Sequence, residues 1–263
     1  MNFAQAMLLA VVEGITEYLP VSSTGHMILT SWIMGINHDE FVKDYTVMVQ
    51  FGAILAVVVL FWRRFLLNFR VYPMVFLAFL PAAVIGLAVN KYIDILLGSA
   101  WVVAITLFAG GVVLALTDKW LRNHKVRVSQ IESIPLVSAV KIGFFQCLAF
   151  IPGMSRSAAT IWGGLFEGLS LAHATEFSFF LAVPTLSAAT LWKARKIYPH
   201  ITHEQWSILL WGNIVSFIIG GLAIRSFVQF ITRYGLKYFG YYRIVVGLLV
   251  IIALSMGHEI EFL

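Results

Sequence analysis

The chain has 263 residues, of which 60% are hydrophobic and 12% charged, and its mean hydropathy is +0.88. A soluble domain carries about a quarter charged residues, so most of this surface cannot face water, which excludes secreted, disordered and nucleic-acid-binding classes. The 18 Lys and Arg against 13 Asp and Glu leave +5, suited to lipid headgroups, and the single cysteine, Cys147, excludes an intrachain disulfide framework and a multi-cysteine metal site.

What remains is an all-α polytopic membrane protein. The start, Met1-Asn2-Phe3-Ala4-Gln5, lacks the cationic region of a cleaved signal, and the apolar run after it carries Glu13 and Glu17, so this segment is expected to be retained in the fold. Crossing a hydrocarbon core of ~30 Å takes about 20 apolar residues. The run 3–19 is interrupted by Pro20-Val21-Ser22-Ser23-Thr24-Gly25, and a short apolar piece follows to Met34. Three full spans are then expected at 45–62, 73–89 and 100–116. The stretch 135–151 is broken in the same way, by Pro152-Gly153-Met154-Ser155-Arg156-Ser157, with a short piece to Leu169, and spans at 171–191, 206–224 and 238–256 complete the chain.

Irregular backbone at membrane depth survives only where protein or a watery cavity satisfies its amides, so both broken stretches read as re-entrant helix–loop–helix units. They also align with each other: Pro20 lies over Pro152 and Ser23 over Ser155, an offset of 132. A single membrane domain (1–263) is thus expected to be two halves, 1–131 and 132–263, each with one re-entrant unit and three spans. An odd number of crossings makes this an inverted-topology repeat, the plan that places sites between interrupted helices. Basic residues set the orientation. Eleven fall in loops assigned inside (Arg63, Arg64, Arg70, Lys119, Arg122, Lys125, Arg127, Arg225, Arg233, Lys237, Arg243), and five outside (Lys43, Lys91, Lys193, Arg195, Lys196). Lys141 and Arg156 lie within the second broken unit.

Ionisable residues inside membrane segments are expensive and mark functional sites. Glu13 and Glu17, four apart, project from one helix face, and such a carboxylate pair suits a hard cation such as Mg²⁺ or Ca²⁺. Ser22, Ser23, Thr24 and Gly25 form a hydroxyl-rich turn opening a helix, which offers N–H groups to an anion; plain capping is the simpler role for such residues. His26 can exchange a proton or attack phosphorus. In the second loop Arg156 sits between Ser155 and Ser157, with Thr160 one turn on, and a buried guanidinium fork suits phosphate oxygens. The competing role for Arg156 is a salt bridge to Glu13 or Glu17. Together the two loops hold the groups for metal-assisted phosphoryl transfer at a membrane.

The run Glu13-Gly14-Ile15-Thr16-Glu17-Tyr18-Leu19-Pro20-Val21-Ser22-Ser23-Thr24-Gly25-His26, with Pro152-Gly153-Met154-Ser155-Arg156-Ser157-Ala158-Ala159-Thr160, closely resembles the two defining motifs of the undecaprenyl pyrophosphate phosphatase (bacitracin-resistance) family. Gln50-Phe51-Gly52-Ala53-Ile54-Leu55-Ala56 and Glu176-Phe177-Ser178-Phe179 are similar to it too, so the resemblance covers essentially the whole chain. It departs at Ala158, where the family commonly has Gly. The resemblance implies a bacterial inner-membrane hydrolase, with its site facing the periplasm, that converts undecaprenyl diphosphate to undecaprenyl phosphate plus inorganic phosphate. The lipid carrier is thereby recycled for peptidoglycan synthesis. It further implies a divalent cation served by Glu13 and Glu17, and catalytic roles for Glu17, Ser23, His26 and Arg156, with either Ser23 or His26 as nucleophile. Ser22, Thr24, Gly25, Ser155, Ser157 and Thr160 would bind substrate with Arg156. Bacitracin would compete for the lipid diphosphate, no nucleic acid is expected as partner, and a homodimer is compatible with the family.

The alternative of a different class is a flippase for the lipid phosphate carrier, motivated by the repeat. The acid-phosphatase-type lipid phosphatases also use Ser-Arg, but they need a His soon after it, where this chain has Ser157-Ala158-Ala159-Thr160. Gln50 and Glu176 are expected to support the site from behind, Asn213 and the pairs Gly110-Gly111, Gly163-Gly164 and Gly220-Gly221 to join helices, and Glu167 to lie near the cytoplasmic interface.

Overall fold

The computed structural model describes residues 1–121, 125–128, 130–258 and 260, without the side chains of residues 90 and 94. Arg122, one of the basic residues assigned to the inside, lies outside the described residues. In chain order the helices are α1 (Phe3–Thr16), α2 (Ser23–Ile33), α3 (Glu40–Met48), α4 (Gln50–Leu60), α5 (Trp62–Leu67), α6 (Val71–Leu97), α7 (Ala100–Leu121), α8 (Leu136–Gln146), α9 (Arg156–Phe166), α10 (Leu171–Ile197), α11 (His203–Tyr234) and α12 (Lys237–Ser255). Among the described residues there is no strand, only a lone bridge between Val128 and Leu169.

Six segments are long and apolar enough to cross a membrane: Glu40–Leu60, Val71–Val89, Ala100–Leu121, Leu171–Ile197, His203–Tyr234 and Lys237–Ser255. They coincide with the six expected spans, with edges moved by capping. The first begins at Glu40 because Asp39 accepts a hydrogen bond from the Phe41 N–H, satisfying a donor that a helix start leaves orphaned. α11 starts at a capping box made by Thr202 and Gln205 and stops at Gly235, whose φ is +75°. Its 32 residues make it about 48 Å long at 1.5 Å per residue. α1 and α8, of 14 and 11 residues, reach only about 21 and 16 Å and cannot cross alone. Each is followed by an 11-residue helix, α2 or α9.

α1 lies along α11 and α8 along α6, while α7 runs the length of α12. The α4–α11 seam is close because Gly52 has no side chain: a Cβ there would meet the Asn213 carbonyl oxygen at 2.1 Å. Asn213 joins these helices as expected, with Oδ1 accepting from the Gly52 N–H at 2.7 Å. Of the glycine pairs, Gly110-Gly111 and Gly163-Gly164 do face other helices, as does Gly220, whereas Gly221 faces open space.

One residue in the orientation count is misplaced. Arg243 lies within α12 and is fully buried, so it is no loop charge, and the balance becomes ten against five. Its Nη1 donates to the carbonyls of Pro20 (3.2 Å) and Met154 (3.0 Å), its Nη2 to those of Gly153 (2.9 Å) and Thr106 (3.1 Å), and its Nε to that of Leu107 (3.4 Å). The guanidinium thus ties both interrupted loops to α7. Counting basic residues near span edges cannot anticipate this, because the acceptors are loop carbonyls that exist only where the two broken helices meet.

Candidate active site

α1 ends at Thr16 because Pro20 cannot continue a helix and restricts the residue before it. Tyr18 then turns inward, its hydroxyl donating to the Ala53 carbonyl at 3.0 Å and its ring packed edge-on to Phe179. This anchor fixes the neighbouring Glu17. Downstream, Ser22 takes φ +73°, and in the second loop Ser155 takes φ +74°; these are the two non-glycine residues at positive φ among those described. Such backbone costs on the order of 1–3 kcal/mol and persists only where the surroundings enforce it. Each serine caps the helix it precedes, Ser22 Oγ accepting from the Gly25 N–H (3.3 Å) and Ser155 Oγ from the Ala158 N–H (3.2 Å).

These matching caps pair Ser22 with Ser155 in local geometry, where residue type alone pairs Ser23 with Ser155. Ser22 and Ser155 lie 133 residues apart, whereas the prolines lie 132 apart, because the capping serine follows Pro20 by two residues and Pro152 by three. The second loop can turn because Gly153, at φ +89°, has no Cβ; one would lie 2.1 Å from Thr106 Oγ1. Ser23 and Arg156, each following its capping serine, both occupy the first position of their helices, α2 and α9.

Both of these side chains reach Glu17. Ser23 Oγ donates to Glu17 Oε2 at 2.5 Å and Arg156 Nη2 to Glu17 Oε1 at 2.7 Å. The ion pair is largely buried, at 10% and 4% side-chain exposure. Arg156 Nη1 donates to the Ser178 carbonyl at 3.1 Å, and its guanidinium lies over the Tyr18 ring. Its Nε is buried without a partner, and so are both carboxylate oxygens of Glu13, one turn before Glu17.

A cavity of about 180 Å³ opens at this junction, lined among others by Glu17, Ser22, Ser23, Thr24, Ser155 and Arg156, six of the expected site residues. Gln50, expected to support the site from behind, forms part of the wall itself, as do Gln146 and Thr185. Five other expected residues do not line the cavity. Glu13 lies behind Glu17, and the Gly25 N–H is held by Ser22. Ser157 Oγ donates to the Tyr18 carbonyl at 2.8 Å, and Thr160 Oγ1 lies 2.7 Å from Ser178 Oγ. His26 turns toward α12: its Nδ1 meets the Ser22 carbonyl at 2.8 Å and its Nε2 the Tyr242 hydroxyl at 2.7 Å. A carbonyl can only accept, so Nδ1 carries the proton. Glu176 does not line the cavity either; it pairs at 3.3 Å with Arg64, which also donates to Glu132 at 3.1 Å. Glu167 pairs with Lys141 at 3.3 Å.

Among the described residues no group of three or more His, Cys, Asp and Glu could hold a metal. The donors on hand are the Glu13–Glu17 pair and the hydroxyls beside it. A buried carboxylate is costly unless it is neutral or meets a cation, and the Glu13–Glu17 oxygens are of the hard type that would suit Mg²⁺ or Ca²⁺.

Ser178, Gln146, Thr185 and Arg243 were not singled out from sequence as site residues. Gln146 carried a readable signal: it stands 133 residues after Glu13, a polar residue in an apolar run, and an offset of 132 hides the match.

Residues 6–249 match the model of the family described as "Bacitracin resistance protein BacA". The chain is 48% identical to an undecaprenyl-diphosphatase of Bdellovibrio bacteriovorus over 99% of both chains, and 49% identical to one of Flavobacterium psychrophilum over 100% of both. It is also 42% identical to one of Aquifex aeolicus over 93% of this chain and 95% of the relative. With near-complete coverage of relatives carrying one name, the chain belongs to the bacitracin resistance protein BacA family.

Proposed function

We propose that this membrane protein is a hydrolase that converts undecaprenyl diphosphate to undecaprenyl phosphate and inorganic phosphate, recycling the carrier for cell-wall glycan synthesis. Relatives named for that activity support the substrate. The carrying observation is structural: Ser23 and Arg156, at equivalent positions of two broken-helix units, grip the same Glu17 at the wall of one buried cavity.

Ser23 is the nucleophile. Its hydroxyl faces the cavity and already donates to Glu17, a base within hydrogen-bond reach. Its Oγ attacks the terminal phosphorus in line while its proton passes to Glu17. The bond from that phosphorus to the bridging oxygen breaks, and the lipid monophosphate leaves. Glu17 passes that proton to the departing monophosphate, then takes one from the water that attacks the phosphoserine and returns it to Ser23 Oγ as the P–O bond to Ser23 breaks and inorganic phosphate departs. Arg156, with the unpaired Nε and the first-turn N–H groups of α9, stabilises charge growing on the phosphoryl oxygens. Glu13 and Glu17 would hold a divalent cation, Mg²⁺ or Ca²⁺, which supplies charge neutralisation to the diphosphate. His26 steadies the strained Ser22 carbonyl and takes no part in bond making.

The two units are re-entrant, and the halves form an inverted repeat. In support, Ser22 and Ser155 share one backbone geometry, α1 lies on α11 as α8 lies on α6, and α7 faces α12. The site opens outward from a bacterial inner membrane, where bacitracin competes for the substrate; the excess of basic residues on the opposite side supports this orientation. Inorganic phosphate release by the purified protein in detergent tests the reading, since a flippase produces none. Phosphate release dependent on a divalent cation is expected, and its absence in protein shown to be folded would refute the reading.

A further inference from the structure

Three donor or acceptor groups around the cavity are buried without partners: the Glu13 carboxylate oxygens, Arg156 Nε and Gln146 Nε2. The first two are accounted for by a cation and by the terminal phosphoryl group. Gln146 is not. It ends α8, is 1% exposed and lines the cavity. Its amide meets the Thr185 hydroxyl at 3.2 Å, a hydroxyl that also bonds the Leu181 carbonyl at 2.8 Å, and Nε2 has no acceptor within the protein. Leaving a buried amide N–H unsatisfied costs about 1–3 kcal/mol, which a ligand oxygen in the cavity would recover.

The position of Gln146 suggests which oxygen. Arg156 is held against α10 at Ser178 and Gln146 at Thr185. The anchoring atoms are the Ser178 carbonyl and a Thr185 hydroxyl that sits on the Leu181 carbonyl, about one helical turn apart, so the two donors address neighbouring phosphoryl groups better than one. Near Gln146 the cavity wall includes Ala82 of α6 and Leu186 of α10. The same two helices also bound an apolar groove of about 290 Å³, lined in part by Val75, Phe76, Phe180, Val183 and Pro184. Gln146 thus packs where the cavity is walled by the helices that also line this groove, a surface that suits an isoprenoid chain.

We propose that Gln146 is a substrate-binding residue that donates from Nε2 to the lipid-side phosphoryl group, the one retained in the product. In the repeat it occupies the place of Glu13: one half offers a carboxylate to a cation, the other an amide to an anion. The inference rests on the proposed phosphatase reading of the cavity.

The test uses the full-length enzyme in detergent with undecaprenyl diphosphate as substrate, and two inhibitors, undecaprenyl phosphate and inorganic phosphate. In Gln146→Met, which keeps length and bulk, the inhibition constant of the lipid monophosphate should rise about 10- to 100-fold, the range for losing a hydrogen bond to a charged acceptor. That of inorganic phosphate should stay within about twofold, well under the factor expected from one lost hydrogen bond. Gln146→Glu, which places a carboxylate against the phosphate, should bind the monophosphate more weakly than Gln146→Met. Unchanged inhibition by the monophosphate in Gln146→Met, a change confined to inorganic phosphate, or a Gln146→Glu enzyme that needs less cation at full activity would each overturn the proposal. The underlying reading fails separately, if the wild-type enzyme releases no phosphate.

Discussion

Replacing Arg156 by lysine separates the chemistry of the site from its stability. Truncation to alanine would leave Glu17 buried with only the Ser23 hydroxyl as donor, and breaking a buried pair in that way costs about 3–5 kcal/mol of folding stability. Lysine keeps the positive charge and a single point contact to Glu17, so the fold should hold. It loses the planar fork: the contact to the Ser178 carbonyl and the unpaired Nε. If Nε and one Nη both serve the phosphoryl oxygens in the transition state, lysine removes one to two charge-assisted hydrogen bonds, about 2–4 kcal/mol in sum. At about 1.4 kcal/mol per decade this is roughly a 30- to 1000-fold fall in kcat/KM. The assay is initial-rate phosphate release, with a thermal melt of each preparation alongside. An Arg156→Lys enzyme that melts like wild type and turns over within about threefold of it, a loss of under 1 kcal/mol, would refute the reasoning, because a point charge would then suffice.

Further consequences concern the surrounding residues. His26→Asn, whose amide N–H can replace Nδ1–H on the Ser22 carbonyl, should keep at least a third of wild-type kcat, whereas His26→Ala should lose about tenfold, the value of one buried hydrogen bond; equal loss in both would show that the imidazole itself reacts. Chelation should abolish phosphate release and added Mg²⁺ or Ca²⁺ restore it, with Glu13→Gln needing about tenfold more cation, the scale of one weakened oxygen ligand; activity indifferent to chelator would exclude the cation. Gly52→Ala should force α4 off α11, costing about 3 kcal/mol as overpacking does and lowering the melting temperature by roughly 6–12 °C; an unchanged melt would contradict the closeness of that seam.

Much of this arrangement was legible in the chain because membrane physics writes it plainly. Apolar runs of span length announced the six long helices, and Pro20 and Pro152 announced where helices must stop. Glu17 and Arg156 were conspicuous because charge at membrane depth is expensive. Register was harder to read. The prolines lie 132 residues apart and the capping serines 133, so matching by residue type pairs Ser23 with Ser155, whereas the shared positive φ pairs Ser22 with Ser155. That slip concealed Gln146 behind Glu13. Residues that act through backbone carbonyls were equally hidden: nothing in the composition around Arg243 says that five carbonyl oxygens from three segments converge on it. Ser157, Thr160 and His26 have the chemistry of ligands in sequence, but the fold turns them toward Tyr18, Ser178 and Tyr242. Glu176, a membrane-depth carboxylate two residues before Ser178, pairs with Arg64 and does not line the cavity.

The nucleophile is the step on which the mechanism depends. Incubating purified Ser23→Ala with undecaprenyl diphosphate and cation, and measuring inorganic phosphate at single-turnover enzyme excess, tests it directly. Loss of at least about a thousandfold in rate, the scale for removing a catalytic nucleophile, with an unchanged melt is the expected result; release at the wild-type rate would mean that Ser23 forms no bond to phosphorus.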